Sequence, residues 1–66
     1  MKSKVTLIRT TIASLVQDQV MAASLVSQLI PLQTMDKAKK LLESLGLDKT
    51  LEQDIESALI KVEVYK

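Results

Sequence analysis

The sequence predicts an all-α protein: a helical hairpin with one long N-terminal helix and two shorter helices, assembling as a four-helix-bundle-like dimer or a higher oligomer. Three observations carry this. Apolar residues recur at three- and four-residue steps along most of the chain. Structure-breaking residues are sparse, with a single Pro and a single Gly. Finally, 66 residues with no Cys and no His must stabilise a small core without disulfides and without the usual zinc ligands.

The first helix is expected over about residues 4–30. Val5, Ile8, Ile12, Leu15, Ala22, Val26 and Leu29 fall on a heptad-like stripe, with Gln19 standing in one seam position. Leu7, Val16, Val20, Ala23, Leu25 and Ile30 widen the apolar surface, and from Thr10 to Thr34 the only charge is Asp18. A helix so poor in charge belongs inside an assembly. Either it breaks near Gln17 to Gln19, exposing them, or a symmetry mate hydrogen-bonds there. Exposure of Asp18 is the expectation, because a buried carboxylate without partners is costly.

Pro31 ends this helix, since it lacks an amide proton and biases Ile30 away from helical angles. The second helix is expected over about residues 35–45, with Thr34 as N-cap and Asp36 in the first turn. Its apolar face holds Met35, Ala38, Leu41, Leu42 and Leu45. Gly46 followed by Leu47 matches closure by a left-handed glycine. Thr50-Leu51-Glu52-Gln53 matches a capping box, which opens a third helix over about residues 51–64. Two segments leave short terminal strands open: residues 4–9 are β-branched, and residues 60–65 alternate apolar with polar. The whole forms a single domain, 1–66.

These features also bound the function. General acid-base and nucleophilic catalysis most often recruit histidine, and a phosphate-cradling loop needs several glycines. No enzyme, cofactor or metal role is expected. Asp48, Glu52 and Glu56 are mixed with Lys49 and Lys61 and read as a solvated face. The quiet stretch from residue 10 to 34 contains Gln17, Asp18, Gln19, Gln28 and Pro31, which oppose membrane insertion. An uninterrupted secretory signal is not evident either. The lack of Cys is compatible with a reducing cytosol, and a cytoplasmic location is the expectation.

What remains is association. A chain this short buries only about 60% of the surface its unfolded form exposes, so an intersubunit core is the expected supplement, built on Ile12, Leu15, Gln19, Val20, Val26 and Leu29. The expected function is that of a small homo-oligomeric interaction or regulatory module that binds itself and a larger protein. The alternative is a dimeric nucleic-acid-binding regulator using Lys2, Lys4, Arg9, Lys37, Lys39 and Lys40. Against it stand a net charge of only +1 and a single aromatic residue, Tyr65, too few for a stacking platform.

Overall fold

The computed structural model describes residues 3–65. Four helices follow one another: α1 (Lys4–Leu15), α2 (Gln19–Leu29), α3 (Met35–Ser44) and α4 (Lys49–Lys61). The described residues contain no strand. Residues 4–9 are therefore helix, whereas of residues 60–65 only the first two are helical and residues 62–64 form a turn and bend after α4. Packing decides this outcome, since β propensity is easily overridden by tertiary context.

The expected single helix over residues 4–30 is corrected to two. Continuous helix over that range would run about 40 Å, whereas the folded chain measures 31 × 23 × 19 Å. Val16 takes extended angles (φ −108°, ψ 116°) while its N–H still bonds the Ile12 carbonyl. Asp18 is also extended, and its carboxylate accepts from the N–H groups of Val20 (2.9 Å) and Met21 (3.2 Å). The residue that looked out of place in a long helix is thus an N-cap. The reversal lays α2 beside α1 and lets both helices share one core inside a single chain.

Each helix contributes residues spaced by four to that core: Ile8, Ile12 and Val16 from α1 and its cap, Leu25 and Leu29 from α2, Ala38 and Leu42 from α3, Ile55 and Leu59 from α4. An i, i+4 pair projects from one face of a helix, so four such stripes converge. α1 packs on both α2 and α4, and α3 packs on α4. Leu15, Val26, Leu41, Leu47 and Leu51 pack against the cluster from its edges. Burying a Leu or Ile side chain stabilises by about 1.5–3 kcal/mol, which makes these positions the main source of stability.

The ends of the helices follow local chemistry. Ser3 caps α1 by accepting from the Thr6 N–H at 3.2 Å. Thr34 caps α3 as expected, accepting from the Lys37 N–H at 3.3 Å. The cap of α4 is Asp48, not Thr50, and the helix begins at Lys49 where residue 51 was expected. One Asp48 oxygen takes the N–H groups of both Thr50 and Leu51, and a carboxylate at this position also complements the helix dipole. Gly46 closes α3 with φ +68°.

α4 ends at Lys61, short of residue 64. Glu63 adopts φ +56°, its N–H bonds the Ile60 carbonyl, and the Val64 N–H reaches back to Leu59. That pair of bonds is a Schellman closure, here built on a glutamate where glycine is usual. It turns residues 64 and 65 back onto the core.

Candidate interaction surface

Buried polar groups are satisfied within the chain, so any site lies on the surface. Among the described residues no buried side-chain nitrogen or oxygen lacks a hydrogen-bond partner. Among the same described residues no three His, Cys or acidic side chains gather as a metal centre would require, and no helix is long and apolar enough to cross a membrane. Asp48, Glu52 and Glu56 therefore form no cation cage.

The most distinctive surface lies along α1 and α2. Three alanines, Ala13, Ala22 and Ala23, line a groove between the helices together with Val26, Ser27 and Arg9. Its volume is about 310 Å³, at the lower limit for small-molecule pockets. Such a groove admits side chains of a neighbouring helix more readily than a metabolite. Gln28 turns its amide along the helix to the Ser24 hydroxyl at 3.0 Å, so it does not compete for the groove.

At the corner beside this groove Val20 is 80% exposed and Met21 39% exposed. Leu45 at 38% and Ile60 at 53% are the other large apolar side chains left exposed among the described residues, and Val20 is the most exposed of the four. Asp18, also exposed, is the only acidic residue in the sequence of α1, α2 and their connection.

The six residues expected at an oligomer interface separate into groups. Ile12 and Leu29 are completely buried in the chain's own core, because the break at residues 16–18 lets one chain cover them. Leu15 and Val26 are half-buried, and Gln19 and Val20 are exposed. Leu15, Val26, Gln19 and Val20 thus retain surface, whereas Ile12 and Leu29 do not.

The basic candidates separate as well. Lys2 lies outside the described residues. Lys4 is half-buried, donates to the Leu32 carbonyl and sits over the Tyr65 ring, 4.9 Å from its centroid. It is committed to holding the fold, as a cation beside the C-terminal end of α2. Arg9 lines the groove. Only Lys37, Lys39 and Lys40 stay together, all exposed on α3.

Sequence reasoning did not find the role of Tyr65. Its hydroxyl donates to the Leu29 carbonyl at 2.6 Å, which also accepts from the Leu32 N–H at 3.2 Å, so the last turn of α2 is tied from two sides. Burial raises its pKa above the ordinary 10.0, because the phenolate would be poorly solvated there. Ile60, 53% exposed, shares a second shallow depression with Met35, Glu63 and Tyr65. Nothing local in the sequence links Tyr65 with Leu29, but the alanine triplet could have been found by plotting residues 13, 22 and 23 on separate helices.

No protein-family model matches the chain, and comparison with curated proteins and with solved structures gives no match.

Proposed function

We propose that the protein works by non-covalent association, as a small homo-oligomeric module that engages a larger protein partner, and not by catalysis. The observation that carries this reading is the exposure of Val20 at 80%, on a surface of α1 and α2 whose only charges beyond the occupied Lys4 are Arg9 and Asp18. Isolated exposed aliphatics are ordinary. Here the exposed valine is on the same helix as exposed Met21 and as Ala22 and Ala23 of the groove, and exposed apolar surface gathered on one element supports an interaction reading.

Sedimentation velocity over a dilution series tests the first half of the proposal. The expected species exceeds the 7.3 kDa chain mass and dissociates on dilution. A species that stays at the chain mass throughout rejects self-association. Affinity capture with wild-type and Val20→Asp protein tests the second half, since a partner using this surface is retained by the first and not by the second.

A second reading rests on the common exposure of Lys37, Lys39 and Lys40. It makes the module a dimeric nucleic-acid binder, with α3 facing phosphate. Binding would then weaken steeply with added salt, and the absence of any mobility shift at low salt would remove it.

A further inference from the structure

We infer that the α1–α2 groove receives a second copy of the same chain in a two-fold arrangement, with Arg9 of each copy meeting Asp18 of the other. This inference rests on the self-association proposed above and specifies where and how it occurs. The argument begins with charge. From Lys4 to Leu29 the sequence contains only Lys4, Arg9 and Asp18 as charged residues, and Lys4 is already held by Leu32 and Tyr65. The surface left over has one positive and one negative side chain, both exposed.

A surface with one charge of each sign can pair with itself. In an isologous interface each residue meets its complement twice. Arg9 stands on α1 in the lining of the groove and Asp18 caps α2, the helix that forms its other wall, so a two-fold arrangement would set position 9 of one copy opposite position 18 of the other. Between those two positions in sequence or beside them across the corner stand Ala13, Ala22 and Ala23, which line the groove. Small side chains there let helices approach closely, since interaxial distance is set by the residues at the crossing.

Asp18 is free to serve both roles. One of its carboxylate oxygens, Oδ1, accepts both cap hydrogen bonds, which leaves Oδ2 for a guanidinium. Val20, two residues away, enters the same seam. A heterologous partner would have no need of matched opposite charges on this face.

The test is a charge exchange read by sedimentation equilibrium, with circular dichroism confirming that each variant folds. Arg9→Glu sets two pairs of like charges against each other and is expected to weaken dimerisation by at least about ten-fold. Asp18→Lys is expected to do the same. An equimolar mixture of the two restores both attractive pairs and is expected to form a heterodimer of wild-type mass. Should Asp18→Lys unfold through loss of its cap, the double variant Arg9→Glu/Asp18→Asn decides, since Asn retains the cap and removes the repulsion; dimerisation is expected to recover relative to Arg9→Glu alone.

A wild-type dimer indifferent to Arg9→Glu overturns this geometry and leaves self-association standing. A wild-type monomer overturns both. A monomer that co-sediments with phosphatidylcholine vesicles assigns the surface to lipid and likewise overturns the inference.

Discussion

Gln19→Pro separates the two architectures by the sign of its effect. In the four-helix structure Gln19 is the first residue of α2 and is exposed. Proline is favoured at that position, since its missing N–H belongs to a group with no intrahelical partner. None of the described hydrogen bonds uses the Gln19 amide; the Asp18 carboxylate serves Val20 and Met21, and its carbonyl serves Ala22. Asp18 already has the extended angles (φ −74°, ψ 114°) that a following proline demands.

The variant should therefore stay within about 0.5 kcal/mol of wild type, or gain up to about 1 kcal/mol from a stiffer unfolded chain. In one continuous helix the same proline would sit mid-helix and lower stability by about 3 kcal/mol or more. For a domain of this size that corresponds to a fall of about 12 °C or more in Tm. Thermal unfolding followed by far-ultraviolet circular dichroism, at one protein concentration because association adds stability, resolves the difference. A fall of that size would refute the break at residues 16–18 and the core built on it.

Other expectations follow from the helix ends. Tyr65→Phe removes the bond to the Leu29 carbonyl and should lower stability at neutral pH by about 0.5–1.5 kcal/mol. Because burial raises the folded pKa, the Tyr65 contribution is full below the unfolded value near 10 and disappears as pH rises through the higher folded value. Wild type should thus lose stability more steeply than the Phe variant in melts taken from about pH 9 to pH 11; parallel curves would refute the assignment. Gly46→Ala meets no atom within 4 Å but must hold φ +68°, so it should lower stability by about 1–2 kcal/mol. Glu63→Gly, at φ +56°, should change it in the opposite direction by up to about 1 kcal/mol, both read by urea titration.

Much of the fold was legible because it depends on neighbours in sequence. Thr34, Pro31 and Gly46 each act within a few residues, and the stripes at Ala38 and Leu42 and at Ile55 and Leu59 have ordinary helical spacing. The break at Asp18 was harder. Three- and four-residue steps continue from Leu15 to Ala22 through Gln19, so apolar spacing alone cannot distinguish one helix from two that share a core. Asp48 and Thr50 are both good caps, and only the accepted amides decide between them. For the site, the lack of charge between residues 10 and 34 was plain in the sequence. That Ile12 and Leu29 are covered by their own chain follows from the reversal, and the groove depends on three alanines brought together across it.

The Lys4 and Tyr65 interactions have a kinetic consequence. They close the largest loop in the fold, joining the start of α1 and the turn after α4 at the end of α2. Contacts distant in sequence require loop-closure entropy to be overcome first, whereas α1 with α2 and α3 with α4 are near neighbours that can form early. Tyr65 should therefore be unstructured in the folding transition state, and the loss in Tyr65→Phe should fall almost wholly on the unfolding rate. The clasp then governs how long the native state persists and leaves the speed at which it forms to the two helical corners.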